Sequence, residues 1–189
     1  MILKLFFKIY QRLLKYGDSV KLSYYKYLWK DQLSFDESFL FGRYSTIEMQ
    51  SGTSTAVFKR GVHFKNYCSV ICSGSGRLTV GENVFFNNYC SVNCLYEIAV
   101  GDHTIFGEGV RLYDHNHEFR DKEKPISDQG LRHGKITIGD NCWIGSNTVI
   151  LANVTIGSNV VIGANNLIYK SVPANTVVMA QAEKHLKSN

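Results

Sequence analysis

The chain has 189 residues, of which 44% are hydrophobic and 20% charged, enough for a single domain with a sizeable core. Its net charge of +5 is concentrated at the start, because residues 1–30 hold seven Lys or Arg and one Asp, whereas the rest holds 14 basic and 15 acidic residues. A nearly neutral body argues against nucleic-acid binding, which uses basic charge on the folded surface, so no nucleic-acid partner is expected.

The first 16 residues predict an amphipathic helix. Four basic residues share one helical stripe, and apolar or aromatic residues fill the rest of the surface. The basic residues are Lys4, Lys8, Arg12 and Lys15. Such a helix either docks on its own domain or a neighbouring subunit, or lies on an anionic membrane surface as a peripheral contact. The following residues, up to residue 55, show no clear pattern, so residues 1–55 are predicted to form a helical and irregular N-terminal segment.

Large apolar residues then recur at intervals of six. A helix would repeat its apolar positions every three or four residues and a plain strand every two, so a period of six indicates a short strand and a turn repeated many times. The predicted core positions are Phe58, Phe64, Val70, Val80, Phe86, Val92, Val100, Phe106 and Leu112, followed by Ile138, Ile144, Ile150, Ile156, Ile162 and Ile168. Three hexads make one lap of a triangular prism, so we predict a parallel β-helix over residues 56–173.

Five cysteines form an odd set in a chain that shows no cleavable signal sequence, which predicts a reduced, cytoplasmic compartment. A local duplication offset by 22 residues places Cys68 and Cys72 in the same context as Cys90 and Cys94. Three residues separate the two cysteines of each pair, whereas the usual zinc motif has two between them, and no histidine completes the set. We therefore expect these thiols to pack as small apolar side chains, with Cys68 stacked on Cys90.

The period of six is interrupted between residues 113 and 135 by a polar, charged insertion. Insertions into a regular solenoid commonly carry function, and this one begins with Asp114, His115 and His117. Histidine accepts a proton near neutral pH, so a histidine beside a carboxylate is a candidate general base. Residues 174–189 are predicted to form a short C-terminal tail.

The sequence resembles the hexapeptide-repeat acyltransferases, in particular the galactoside and maltose O-acetyltransferase-like group and its relatives in surface polysaccharide synthesis. Three motifs carry this resemblance: the loop Asp114-His115-Asn116-His117, the step Trp143-Ile144-Gly145-Ser146, and the segment from Lys170 to Pro173. The resemblance implies an all-β fold, a left-handed parallel β-helix, and a homotrimer that binds acetyl-CoA as co-substrate between neighbouring prisms. It implies no metal.

The resemblance also implies roles for individual residues. His117 is expected to be the catalytic base, in preference to His115, with Asp114 orienting a histidine or binding a sugar hydroxyl. The expected coenzyme-binding residues are Ser146, Ala164, Tyr169 and Lys170. Asn88 and Trp143 are expected to face the carbohydrate acceptor. The implied reaction is direct attack of a substrate hydroxyl on the thioester of acetyl-CoA.

Other functions remain open from the sequence alone. N-acylation of an amino sugar or O-acetylation of serine would need the same base. A zinc enzyme related to carbonic anhydrase would need three histidines, and His103, His115, His117 and His133 do not show the expected spacing of five. A scaffold that only binds a partner would not require the combination of histidine loop, Trp143 step and Lys170.

Overall fold

A computed structural model of the chain describes residues 20–50 and 52–179. The amphipathic helix predicted over residues 1–16 and most of the predicted C-terminal tail lie outside these ranges. Within them, residues 20–28 form helix α1, and Ile126–Asp128 form a 3-10 helix. All other regular structure is β-strand.

Nineteen of the described strands wind into three parallel sheets. Sheet 1 contains β1 (Leu33–Phe35), β4 (Thr55–Phe58), β7 (Arg77–Val80), β10 (Glu97–Val100), β15 (Ile136–Ile138) and β18 (Val154–Ile156). Sheet 2 contains β2 (Leu40–Phe41), β5 (His63–Phe64), β8 (Phe85–Phe86), β11 (Ile105–Phe106), β16 (Trp143–Ile144), β19 (Val161–Ile162) and β21 (Val177–Val178). Sheet 3 contains β3 (Thr46–Gln50), β6 (Ser69–Ser73), β9 (Ser91–Cys94), β12 (Arg111–Tyr113), β17 (Val149–Leu151) and β20 (Leu167–Ile168).

The chain visits the three sheets in rotation, which is the arrangement of a parallel β-helix. The predicted stacking is confirmed, because Ile138 pairs with Ile156, Ile144 with Ile162 and Ile150 with Ile168. These isoleucines are buried. The sequence therefore predicted both the fold class and the register of the late coils.

The coils extend beyond the predicted range of 56–173. The first strand, β1, begins at Leu33, and the last described strand, β21, ends at Val178. Phe41 pairs with Phe64 across a lap of 23 residues, whereas Ile144 pairs with Ile162 across 18. Because the early laps are longer than three hexads, the period of six is hidden there, although the buried rungs are present.

The core of the early coils is built on aromatic stacking. The ring centroids of Phe64 and Phe86 are 4.1 Å apart and those of Phe86 and Phe106 are 4.4 Å apart, and in both pairs the rings are stacked almost parallel. Helix α1 packs Leu22 and Tyr25 against this end of the core. Burial of these large side chains stabilises the early coils.

The cysteines are part of this core, as predicted. All five are buried free thiols, and Cys72 pairs with Cys94 in adjacent coils. The thiols of Cys68 and Cys90 donate hydrogen bonds to the carbonyls of Asn87 and Gly107. A hydrogen bond with Cys68, together with burial, raises the pKa of Cys90 well above its ordinary value. A thiol in this setting stays protonated and packs as a small apolar side chain.

Candidate active site

The predicted break in the coil is a β-hairpin. Strand β13 (His115–His117) pairs with β14 (Leu131–His133) in antiparallel fashion, so that His115 faces His133 and His117 faces Leu131. The chain leaves sheet 3 after β12 and returns where the N–H of Gly134 donates to the carbonyl of Asp114 at 2.7 Å. The hairpin therefore projects from one point on the prism, at the corner between sheets 3 and 1.

Asp114 anchors the base of this hairpin. Its carboxylate is fully buried and accepts the backbone N–H groups of Leu95, at 2.9 and 3.0 Å, and Tyr96, at 2.8 Å. One carboxylate oxygen also lies 3.2 Å from Nδ1 of His115. Of its two expected roles, Asp114 can orient a histidine. It cannot bind a sugar hydroxyl, because it has no exposed surface.

The two histidines of β13 have different surroundings. His115 is the one that Asp114 contacts, its side chain is 19% exposed, and its ring makes an edge-on contact with Tyr113 at 6.3 Å between centroids. His117, two residues later in the same strand, is exposed. Because side chains two apart in a strand lie on the same face, both imidazoles belong to one face of the hairpin.

A second group of predicted residues lies on another corner of the prism, between sheets 2 and 3. Phe86, Phe106, Ile144 and Ile162 are paired in register, and the position two residues after each one forms a row along the corner. We call this row, with its equivalents in the first coils, the Ser146 edge. It consists of Arg43, Asn66, Asn88, Glu108, Ser146 and Ala164. The structure thus brings Asn88, Ser146 and Ala164 into one line.

The hydrogen bonds of this row distinguish Ser146 from the first two members, Arg43 and Asn66. The backbone N–H of Arg43 donates to Oδ1 of Asn66, and that of Asn66 donates to Oδ1 of Asn88. In the coil after Ser146 the equivalent residue is Ala164, whose methyl group accepts no hydrogen bond. The neighbouring N–H, that of Asn147, donates a hydrogen bond to the carbonyl of Glu108 in the preceding coil. The N–H of Ser146 therefore meets no side-chain acceptor in the next coil.

Trp143 lies just before this corner, on the outer face of sheet 2. It pairs with Ile105 on one side and Val161 on the other, and its side chain is 53% exposed. A large exposed aromatic side chain beside the Ser146 edge offers an apolar contact surface.

Tyr169 and Lys170 lie at the other corner, between sheets 3 and 1. Ile150 pairs with Ile168, and continuing this register places Lys170 two coils beyond Asp114. Both side chains are exposed, and the Lys170 ammonium lies 5.6 Å from the centre of the Tyr169 ring. We call the corner with Asp114 and Lys170 the Asp114 edge. The expected coenzyme-binding residues are therefore divided between two edges of one prism.

Two residues of these surfaces were missed in the sequence. Glu108 is exposed on the Ser146 edge between Asn88 and Ser146, and its position two residues after the Phe106 rung could have identified it. Tyr113 contacts His115, but no feature of the sequence distinguishes its side chain from the other outward-facing residues of the strands.

Within residues 20–50 and 52–179, no group of three or more His, Cys, Asp or Glu side chains is arranged to hold a metal ion. None of the helices in the described part of the chain is both long enough and apolar enough to cross a membrane.

Comparison with known proteins agrees with this geometry. Residues 135–170 match the bacterial transferase hexapeptide family, described by six repeats. The chain is 38% identical over 109 residues to a protein of Dictyostelium discoideum assigned as an acetyltransferase, covering 57% of this chain and 56% of that protein. It is 30% identical over 121 residues to a protein of Escherichia coli K12 assigned as a lipopolysaccharide biosynthesis O-acetyltransferase, covering 60% of this chain and 62% of the relative. The match thus spans little more than half of these relatives.

Among solved structures, the chain is similar to a mutant of an N-acyltransferase from Bacillus cereus in complex with dTDP and coenzyme A. The TM-score is 0.60 with 17% identity, and the alignment covers 82% of this chain and 83% of that one. This likeness concerns the fold. Together with the repeat match and the two acetyltransferase relatives, it confirms the resemblance to the hexapeptide-repeat transferases that the sequence predicted.

Proposed function

We propose that this chain is an acyltransferase that moves acetyl from acetyl-CoA to a hydroxyl of a sugar, in the synthesis of a surface polysaccharide or its precursor. The two relatives assigned as acetyltransferases support the reaction class, and the E. coli relative supports the type of acceptor. The B. cereus structure supports coenzyme A as the carrier, because that protein binds it on a similar fold.

The observation that carries the proposal is the division of the site between two edges of the prism. Glu108 on the Ser146 edge and Asp114 on the other edge are six positions apart along the chain, with strand β12 between them, a span of at most about 20 Å at roughly 3.3 Å per residue. A reaction needs its base and its oxyanion donor on the same substrate atoms. A neighbouring subunit that brings its Asp114 edge against this Ser146 edge completes the site, which is the arrangement of a homotrimer with three shared grooves.

The proposed chemistry begins with His117. Its imidazole takes the proton from the acceptor hydroxyl as the oxygen attacks the thioester carbon of acetyl-CoA. The tetrahedral intermediate then expels the coenzyme thiolate, which takes the proton from the imidazolium. One C–O bond forms, one C–S bond breaks, and the acetylated sugar and free coenzyme A are released.

The Ser146 edge is proposed to stabilise the negative charge that develops on the thioester oxygen. The N–H of Ser146 suits this role because Ala164 offers it no side-chain acceptor, so it can donate to the oxyanion. The small Ala164 also allows the pantetheine arm to pass close to the backbone. Lys170, whose ammonium lies beside the Tyr169 ring, is proposed to bind the phosphates of the coenzyme, and Asn88 and Trp143 are proposed to contact the sugar.

His117 is preferred to His115 as the base because its side chain is exposed and can reach across to a neighbouring prism. Asp114 and His115 are proposed to hold the hairpin in the orientation that presents His117. The competing assignment makes His115 the base and Asp114 its orienting partner, and single substitutions distinguish the two.

The test is release of free coenzyme A from acetyl-CoA, measured with a panel of oligosaccharides and amino sugars. His117→Ala should lower the acetyl-transfer rate by about 10²–10⁴-fold, the usual contribution of a general base. His133→Ala is the matched control, since His133 is an exposed histidine of the same hairpin, and it should retain most activity. Full activity of His117→Ala with loss confined to His115→Ala would move the base to His115, and transfer only to amines would replace O-acetylation by N-acylation.

We also propose peripheral membrane contact through the N-terminal region. The support is the basic stripe Lys4, Lys8, Arg12 and Lys15 in the sequence and, in the described part of the chain, exposed Tyr24 and Tyr27 on α1. Basic charge next to aromatic side chains favours an anionic interface. Replacing the four basic residues by Gln should abolish co-sedimentation with anionic phosphatidylserine vesicles, and equal sedimentation of both proteins would contradict this contact.

A further inference from the structure

The Ser146 edge carries a column of tyrosines towards the N-terminal end of the prism. Tyr44, Tyr67 and Tyr89 each follow the corner position of one coil, and their rings stack at 5.0 Å between successive centroids, with interplanar angles of 16° and 9°. The three side chains remain 70%, 48% and 52% exposed. We call these three residues the tyrosine ladder.

The backbone conformation of the ladder is one that tyrosine seldom adopts. The three φ angles are +58°, +60° and +61°, in the left-handed region. In later coils the same corner position is held by Gly109, Asn147 and Asn165, residue types that tolerate this conformation far better. Asn or Gly would therefore form this turn with less strain. Three exposed tyrosines at such positions, stacked on one another, indicate a role beyond the turn.

The position of the ladder indicates that role. Tyr89 directly follows Asn88, a residue expected to meet the acceptor, and the same edge continues to Ser146. Below Tyr89 the next coil has Gly109, which brings no side chain against the ring. A sugar ring has apolar C–H faces and a rim of hydroxyls, and it is complementary to a tyrosine, which offers an apolar ring and a phenolic hydroxyl. The amides of Asn66 and Asn88 line the same edge.

We propose that the tyrosine ladder binds an extended carbohydrate chain, so that the acceptor is an oligosaccharide or polysaccharide lying along the Ser146 edge rather than a free monosaccharide. This inference rests on the proposed function for its placement beside the reacting groups. Sugar units beyond the acetylated one contact the exposed ring edges and hydroxyls of Tyr67 and Tyr44, and one unit stacks beneath Tyr89.

The test compares the wild-type protein with the triple variant Tyr44→Asn, Tyr67→Asn, Tyr89→Asn. Asparagine keeps the turn, as Asn147 and Asn165 show, and removes the rings. His103→Asn is the matched control, because His103 also has positive φ, +57°, but lies on the corner between sheets 1 and 2. Binding is measured by affinity electrophoresis of the full chain through gels containing soluble starch, dextran, or O-polysaccharide released from E. coli lipopolysaccharide.

We expect at least one of these polysaccharides to retard the wild type and the His103→Asn control equally, with apparent affinity at least tenfold weaker for the triple variant. Binding of the polysaccharide by the ladder does not require acetyl transfer, so His117→Ala should be retarded as the wild type is. If the proposed chemistry fails, this binding result therefore still stands. Equal retardation of the triple variant and the wild type, or no retardation by any of the three polysaccharides, would overturn the proposal.

A second measurement excludes a role of the ladder in subunit contact. The triple variant and the single variant Tyr67→Asn should sediment with the same mass as the wild type. Dissociation of the folded variants into smaller species would assign the ladder to an interface between copies and would also overturn the proposal.

Discussion

The late coils and the hairpin that interrupts them are stabilised in different ways. Ile138, Ile144 and Ile150 each pair with the buried rungs of the coils on both sides, so this lap is held by both its neighbours. In the hairpin, all three residues of β14 are exposed, and the 3-10 helix Ile126–Asp128 has no buried residue. The position of the hairpin therefore depends on a few polar contacts at its base. The repeated pairing makes the β-helix rigid, whereas the hairpin contributes little to the core and can therefore carry functional residues.

The largest expected loss of stability comes from removing a buried rung of the β-helix. Ile144 is fully buried between Phe106 and Ile162, and truncation to alanine leaves a cavity that a stacked coil cannot close. Ile144→Ala should lower the free energy of unfolding by about 2–5 kcal/mol. Chemical denaturation measures this loss. A change below about 1 kcal/mol, which is roughly the contribution of a single buried methylene group, would contradict the role of the rungs.

A smaller effect on stability, with a larger effect on the hairpin, is expected for Asp114→Ala. The change leaves the partly buried N–H groups of Leu95 and Tyr96 without their carboxylate acceptor, which costs about 1–3 kcal/mol. Because the hairpin also loses its contact through His115, limited trypsin digestion should cut faster at Arg120 and Lys122.

The control for this prediction is Asp128→Ala, which removes an exposed carboxylate within the hairpin, away from its base and from both cleavage sites. Trypsin cleavage of Asp114→Ala at the wild-type rate would show that the hairpin is held by something other than its base.

The smallest expected effect on stability concerns the ion pairs at Lys135, where the chain re-enters the β-helix after the hairpin. Glu97 forms ion pairs with Lys135 at 2.5 Å and Arg77 at 2.8 Å, and the hydrogen bond from Lys135 is the main cause that lowers the pKa of Glu97. These pairs are partly exposed, so Glu97→Gln should cost no more than about 1 kcal/mol.

The pH dependence of that loss follows from the lowered pKa. A carboxylate with a depressed pKa contributes stability above its unfolded pKa, and this contribution disappears as the pH falls through the folded pKa. Thermal unfolding should therefore separate the wild type from Glu97→Gln at pH 7 and not in strong acid. A difference that grows on acidification would have the wrong sign.

The β-helix could be predicted from the sequence because its buried residues recur at a fixed interval. Isoleucines at a spacing of six identify the late coils, and the register of Ile138, Ile144 and Ile150 follows from three hexads per lap. The first coils were missed because their laps of 22 or 23 residues contain extra corner residues, and their rungs, such as Leu33 and Phe41, show no fixed interval.

The site was predicted only in part. The sequence identified Asp114 and His115 as neighbours, but their hydrogen bond and the burial of the carboxylate depend on Leu95 and Tyr96, which come from a different coil. The division of the candidate residues between two edges also follows from lap length and could not be deduced from the motifs separately. The tyrosine ladder likewise arises only when laps of 22 and 23 residues superimpose Tyr44, Tyr67 and Tyr89.

The central claim is that each site is shared by two subunits, and subunit mixing tests it most directly. His117→Ala removes the proposed base, and Ala164→Asp supplies a side-chain acceptor for the N–H of Ser146, as Asp102 does for Glu82 and Asp140 does for Asp102. Each variant alone should be inactive. After denaturation and refolding as an equal mixture, about one quarter of the grooves should combine an intact His117 with an intact Ser146 edge, so about a quarter of wild-type activity should return. No recovery from a mixture that reassembles into trimers would place the whole site within one chain and contradict the account.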